Sequence, residues 1–250
     1  KSSVDITLDS GTTLSSQLLL ACDGAQSVCR QFANIKTTTK PYQQSAVIAN
    51  VEMHQPHNNI AYERFTDTGP IAMLPMANNL CSLVWTVTPE QAETLKGYSN
   101  EQFINALNAA FGLWQGGVKA VSKRYIYPLN LVQASENVYH RLALIGNASH
   151  TIHPIAGQGF NLGVRDVAQL ADLINHDLKQ AKDIGNFTML NTYAQLRLTD
   201  QKQIITLTDS LVTLFSNQLP PLVAGRNIAL KALNYFSPIK RAFVNKTMGY

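Results

Sequence analysis

The chain has 250 residues, 45% hydrophobic and 14% charged, with 20 Lys and Arg against 16 Asp and Glu for a formal charge of +4. That is a globular composition, long enough for one large domain or two small ones around a real core. The modest, scattered basic excess gives no argument for nucleic acid, Cys22, Cys29 and Cys81 form no CxxC or metal signature, and no apolar run is long enough to span a bilayer. The three thiols are therefore expected to be reduced and mostly buried, as suits the cytoplasm.

In chain order, residues 1–8 read as a strand, Asp9-Ser10-Gly11 as a turn, and Thr12 to Leu20 as a second strand whose apolar end stops at Cys22-Asp23-Gly24. From about Ser45 the pattern turns β-rich. Ala46–Met53, Ile60–Phe65, Ile71–Pro75 and Cys81–Val87 are short apolar or alternating runs, separated by turns at 54–59, 67–69 and 78–79. Residues 89–95 and 101–111 read as helices. In the second, Phe103, Ile104, Leu107, Ala110 and Phe111 share a face, and Ser99 with Gln102 makes a capping box. Residues 118–129 return to strand.

Arg141–Gly146 then reads as a short buried strand, followed by a loop over 147–159. A long helix is expected over 161–179, with Leu162, Val167, Leu170, Ile174 and Leu178 as its apolar teeth. Further helices are expected over 189–215 and 224–236, parted by Pro220-Pro221.

The loop before the long helix is the most specific stretch. Gly157 and Gly159 allow close approach to the backbone, Pro154 stiffens it, and the helix start that follows aims unpaired N–H groups back at it. It is not a phosphate-binding P-loop, since no Gly-Lys-Ser/Thr follows, and the Gly-x-Gly-x-x-Gly fingerprint fails by spacing. On pattern alone, a cofactor loop and a plain strand-to-helix turn with packing glycines both stay open.

Pro154, Gly157, Gly159, Asn161 and Gly163 match, place by place, a Pro-x-x-Gly-x-Gly-x-Asn-x-Gly motif, with Asp166 following. Asp23, Gly24, Ser27 and Arg30 match Asp-Gly-x-x-Ser-x-x-Arg. In this order, with a β-rich segment between, the two motifs resemble those of the aromatic-hydroxylase class of flavoprotein monooxygenases. Within it, the run Asn147-Ala148, His150 and His153 to Asn161 is most similar to the ubiquinone-biosynthesis hydroxylases. The likeness covers essentially the whole chain.

The resemblance implies an α/β (α+β) fold. It comprises a partial FAD/NAD(P)-binding domain over 1–39 and 129–195, an inserted antiparallel β-sheet substrate domain over 40–128, and a helical C-terminal region over 196–250. It further implies an FAD-dependent monooxygenase that uses NAD(P)H and O2 to hydroxylate a polyprenyl phenol. The flavin does the chemistry, so no catalytic triad is expected. By match, Asp23, Gly24 and Arg30 contact the nicotinamide nucleotide and the flavin pyrophosphate region. Asn147 takes the ribityl-binding place usually held by Asp, where it can still hydrogen-bond but carries no charge. Pro154, Gly157, Gly159, Phe160 and Asn161 face the isoalloxazine.

The family begins with an ADP-binding unit of well over a hundred residues, while 22 residues precede Asp23. The expectation is therefore a chain cut short at its start, inactive in isolation. The alternatives are another ring hydroxylase of the same class and a non-catalytic assembly protein that reuses the fold.

Other candidates are weaker. Tyr62, Met73, Pro75 and Trp85, with Phe65, Tyr127, Leu74 and Met76, are either core or the lining of a pocket for a bulky apolar substrate. His150 and His153 lack a third ligand, so no metal is expected. His54 and His57 are expected at the surface. The tail from Leu207, with Arg226, Lys231, Lys240, Arg241 and Lys246, reads equally as peripheral contact with an anionic inner membrane or as ordinary helical packing. Contact with other ubiquinone-pathway proteins is implied by the family alone.

Overall fold

In the computed structural model the described residues are 2–216 and, beyond them, 219, 223, 225, 231, 235, 238, 240 and 241. Most of the helix expected over 224–236 lies outside them, as do Arg226 and Lys246 of the basic tail. The chain divides into two compact units. The first contains residues 1–40 and 130–209, and the second contains 41–129 with the end of the last helix from Ser210.

In the first unit, β1 (Val4–Thr7) and β2 (Thr13–Ser16) form the hairpin expected around Asp9-Ser10-Gly11. The second expected strand is interrupted. At Ser16 the side chain hydrogen-bonds the Leu18 carbonyl, and the chain resumes as β3 (Leu19–Ala21), which leaves the hairpin for a different sheet. That sheet has the order β10-β11-β3. β10 (Val138–Tyr139) pairs antiparallel with β11 (Leu142–Leu144), and β11 runs parallel to β3 with Leu144 opposite Ala21.

Two helices cover this unit, after a short α1 (Val28–Phe32) that follows β3. They are α4 (Gln158–Lys179) and α5 (Phe187–Ser216). Leu170, Met189, Leu190 and Tyr193 pack with Ala143 and Ile145. Two expected apolar teeth of α4 face outward: Val167 is 53% exposed and Leu178 55%. The inward stripe is Leu162, Asp166, Leu170 and Asp177. A carboxylate thus holds a position at helical spacing from two buried leucines, and reading hydrophobicity alone misplaces the buried face.

The second unit is an antiparallel sheet under two helices. It is built on the long β4 (Thr37–Met53), with β5 (Tyr62–Thr66), β6 (Gly69–Pro75) and β7 (Leu80–Val87) in the order β4-β7-β6-β5. The β8 strand (Val118–Val121) pairs with β4, and β9 (Tyr125–Ala134) follows it. The single strand expected over 118–129 is broken at Ser122. Its Oγ accepts the Asn50 N–H, and its own N–H goes to the Asn50 carbonyl.

The covering helices α2 (Pro89–Gly97) and α3 (Asn100–Phe111) both start at formed capping boxes, Thr88 with Gln91 and Ser99 with Gln102. Each satisfies two backbone donors that would otherwise be orphaned. Gly69, between β5 and β6, has φ +138°, and a Cβ there would lie 2.5 Å from Thr86 Cγ2. Only glycine fits that turn.

Register decides which side chains are core. Ile71 pairs with Trp85, Met73 with Leu83 and with Tyr62, and Pro75 with Cys81, so all share one sheet face. That face lies under Phe103, Leu107 and Phe111. Met73 is wholly buried in this core, and Trp85 is 6% exposed against Phe103. Tyr62 lies against the Trp114 ring, and Tyr127 is exposed.

The opposite face is mixed: Leu74 is exposed, Ile48, Ala72, Ser82 and Val84 are half-buried, and Ala46, Pro70 and Thr86 are buried. Of the thiols only Cys81 is buried. Cys22 is exposed and Cys29 half-buried, correcting the expectation for those two. His57 corrects another. It is 7% exposed, with Nε2 2.9 Å from the Met76 carbonyl and Nδ1 accepting the Asn59 N–H, because its turn folds back over the β6–β7 connection.

Met73→Ala is expected to cost about 2–5 kcal/mol of stability, and Leu74→Ala at an exposed position on the other face to stay within about 0.5 kcal/mol. Urea denaturation of the two variants checks this.

Candidate functional site

The two sequence motifs come together because β3 and β11 are parallel neighbours. Each motif begins where its strand ends, so both lie at the carboxyl end of the same small sheet. In open α/β sheets that end is where ligands sit.

After β3, the chain turns at Gly24, whose φ is +82°. Ser27 caps α1 by accepting the Arg30 N–H. Asp23 Oδ2 accepts the Cys29 N–H at 3.0 Å. Partial burial pushes the Asp23 carboxyl upward, but hydrogen bonds from Ser27 and Cys29 outweigh it and hold it below the usual carboxylate range. Arg30 is 7% exposed. Its Nη1 donates to the Ala148 carbonyl and its Nη2 to the Ala25 carbonyl, each at 2.7 Å. Arg30 therefore ties the first motif to the second through backbone.

After β11, Gly146 takes φ +58° and opens a short 3-10 turn, Gly146–Ala148. Asn147 is exposed at its crest. His150 and Thr151 form β12, paired with Gln133 and Val132 of β9. A second 3-10 turn, Ile155–Gly157, leads into α4. Gly157 is the N-cap of α4, left-handed at φ +63°, and no side chain caps the helix. A Cβ on Gly157 would meet nothing within 4 Å, so the backbone there borders open space. Phe160, 79% exposed, and the exposed Asn161 stand on the first turn. Gly163 has a different task. A Cβ there would lie 3.4 Å from the Gly146 Cα, so this glycine lets α4 pack against the end of β11.

A buried polar network fixes the loop from behind. Asp166 is wholly buried. Its Oδ2 accepts the Gly146 N–H at 2.9 Å and its Oδ1 accepts Arg197 Nε at 2.6 Å. Arg197 also donates to Asp200, which in turn accepts from Arg165. Ser149 donates to Asn137, Asn137 to Gln201, and Tyr193 to the Leu144 carbonyl. Apart from Asp166 none of these partners was legible in sequence, since they come from segments up to 64 residues apart.

Beside the loop, both ring nitrogens of His150, the Thr151 hydroxyl and the Gln158 side-chain oxygen are buried without hydrogen-bond partners among the described residues, and His150 lies next to Asp166 in the rear network. The accessible groups are the exposed Asn147 and Asn161 side chains and the backbone at Gly157, which borders open space at the uncapped start of α4. This set of hydrogen-bonding groups at a helix start fits a polar, electron-rich heteroaromatic such as the flavin of FAD. Burial pushes the His150 imidazole below its usual range, against the pull of Asp166 at 3.8 Å. Among the described residues no group of three metal-ligating side chains occurs.

Tyr62, Met73, Pro75 and Trp85 belong to the second unit. Met73 faces its core rather than a cavity, whereas Trp85, with Arg64, Phe65 and Tyr98, borders a cleft of about 540 Å³ there.

Comparison with known proteins gives the same picture. Residues 3–208 match the family described as FAD binding domain. The chain is 39% identical over 246 residues to ubiquinone hydroxylase UbiL of Rhodospirillum rubrum, covering 98% of this chain and 57% of that protein. It is 34% identical to the mitochondrial ubiquinone biosynthesis monooxygenase COQ6 of Homo sapiens, covering 97% of this chain and 60% of that one. Among solved structures, p-nitrophenol 4-monooxygenase PnpA from Pseudomonas putida DLL-E4 superposes with a TM-score of 0.75 at 18% identity, over 98% of this chain and 63% of that one. The fold is thus the mixed α/β FAD-binding architecture with an inserted sheet.

Two outcomes follow for the site. Asp166→Asn is expected to lower stability by about 1–3 kcal/mol, because Arg197 loses one of its two carboxylate partners and keeps Asp200, read by denaturant unfolding. His153 is held by burial at about 4, with Asp209 opposing, against an ordinary value of 6.5. The folded state therefore keeps this imidazole neutral while the unfolded chain protonates it. The associated stability, on the order of 3 kcal/mol, is complete above pH 6.5 and lost as the pH falls toward about 4. Unfolding curves of the protein and of His153→Asn across that window should differ in slope.

Proposed function

The chain belongs to the FAD binding domain family, and from that premise we propose that the protein is an FAD-dependent monooxygenase of ubiquinone biosynthesis. Its substrate is a polyprenylated phenol, with 2-octaprenyl-6-methoxyphenol the specific candidate. The reaction consumes NAD(P)H, a proton and O2, places one oxygen on the ring, and releases the other as water.

The observation that carries the reading is the meeting of both motif loops at one sheet end, before an uncapped helix start whose Gly157 borders open space. The identity to UbiL and COQ6 supports the substrate class, although the chain spans only 57% and 60% of their lengths.

When bound, FAD takes reducing equivalents from NAD(P)H and activates O2. The protein's own residues bind and orient. Asp23 and Gly24 serve the pyrophosphate and nicotinamide side, and Asn147 offers its amide to a ribityl hydroxyl. Arg30, bonded to two carbonyls, acts by holding the motif loops together. The backbone from Pro154 to Asn161 would hold the ring, and the start of α4 would favour negative charge there. Phe160 shields that edge from water. The exposed Leu74 with the half-buried Ile48, Ala72 and Val84 on one sheet face supplies apolar surface for a prenyl chain. Because such a substrate resides in lipid, the protein is expected to work at a membrane surface, although none of its described helices is long and apolar enough to cross one.

Reconstituting the gene's full-length product with FAD, NAD(P)H and prenylated or unprenylated phenols tests this. Hydroxylation of the prenylated phenol is the expected result. Preference for a small phenol would move the reading to another ring hydroxylase, and absence of flavin binding would end it. Gly157→Val should weaken FAD binding by roughly tenfold or more, since it strains a left-handed residue and fills the open space beside it.

A further inference from the structure

Away from both motifs, the second unit holds a recess of about 410 Å³. Its walls are Lys96 in the last turn of α2, Asn100 at the first position of α3, and Val121 to Arg124 between β8 and β9. Three cations line it and no carboxylate does. Lys40, Lys119, Arg141, Arg165 and Arg197 each have an acidic partner, but Lys96, Lys123 and Arg124 have none among the described residues.

The simplest account is that these cations answer the carbonyl end of α2. Arg124 Nη1 does lie 3.4 Å from both the Leu95 and the Ser99 carbonyls. That helix end carries only about half an elementary charge, however, so most of the positive charge stays uncompensated. Two of the cations are also held in place. The Arg124 guanidinium sits 5.1 Å from the Phe103 ring centre, and Lys123 Nζ 5.4 Å from that of Tyr125. A guanidinium fixed by carbonyls and an aromatic face keeps its remaining N–H donors pre-oriented for an oxyanion. Asn100 adds a neutral donor, while the start of α3 itself is closed by the Ser99 and Gln102 capping box and followed by Glu101.

We propose that this recess binds a phosphate group, presented either by an anionic lipid headgroup or by a free phosphorylated molecule. Mutual repulsion of the three cations is relieved by a bound anion, and the recess has room for a phosphate with its water. It is a different place from the flavin loops, and its occupancy does not depend on the flavin reading.

The test uses the whole protein and two probes. Titration calorimetry with sodium pyrophosphate reads the free-phosphate source. Flotation with phosphatidylcholine vesicles, with and without phosphatidylglycerol, reads the headgroup source. Lys96→Gln/Lys123→Gln removes two exposed charges and leaves the Arg124 contacts intact, and Arg124→Lys keeps the charge but loses the fork. The double variant should weaken whichever probe binds by roughly tenfold or more, and Arg124→Lys by less. Pyrophosphate binding lost in the double variant assigns a free phosphate, and flotation confined to phosphatidylglycerol vesicles and lost there assigns a lipid headgroup. Binding of neither probe, or binding that the double variant retains in full, overturns the proposal.

Discussion

The first unit depends on one buried carboxylate. Asp166 sits where a leucine would be expected on the inward face of α4, with no exposed surface. Burying a charge is costly unless it is paired and hydrogen-bonded, and Asp166 meets both conditions with Arg197 and the Gly146 N–H. These bonds join the end of β11, the start of α4 and the middle of α5 at one point. Arg197 also reaches Asp200, so the far helix is committed to the same arrangement. The glycine pair Gly146 and Gly163 meets at the same place: Gly146 takes φ +58° to open the turn, and a Cβ on Gly163 would lie in contact with the Gly146 Cα at 3.4 Å. The course of the cofactor loop is therefore set by groups that need not touch a cofactor.

Much of this was legible in the sequence where the signal is local. The capping box at Ser99 and Gln102, the hairpin at Asp9-Ser10-Gly11 and the strand-loop-helix around Gly157 depend on neighbours within a few residues, and all formed. What escaped depends on distant partners. His57 is buried because its turn folds over a connection near Met76, which periodicity does not see. Val167 and Leu178 were placed inward on hydrophobicity, yet the face was decided by Asp166 finding Arg197. Met73 looked as fit for a pocket as for a core, and only its register against Leu83 and the helix above it decided for the core. The hydrogen bonds of the motif residue Arg30 to the carbonyls of Ala25 and Ala148 are likewise contacts that the motif itself does not reveal.

The sheet of the second unit follows the same logic with different chemistry. Side chains alternate along each strand, so one register divides the sheet into two faces. On the helix-covered face Val47, Val51, Ile71, Met73, Leu83 and Trp85 meet Phe103 and Leu107, and Trp85 also borders the cleft beside Arg64 and Phe65. The other face is mixed: Ala46 and Thr86 are buried, Ile48 and Val84 half-buried, and Leu74 exposed, beside the polar Asn50, Glu63 and Ser82.

The two sets of polar groups around the cofactor loop point the same way. Behind it, Asn137, Ser149, Gln201, Asp166 and Arg197 satisfy one another almost completely. In front, the Asn147 and Asn161 side chains and the backbone at Gly157 are exposed to a ligand. The satisfied layer holds these groups in place, so their positions are fixed before any ligand arrives. Groups held in this way let a protein bind a cofactor ring in one orientation without spending binding energy on rearranging itself.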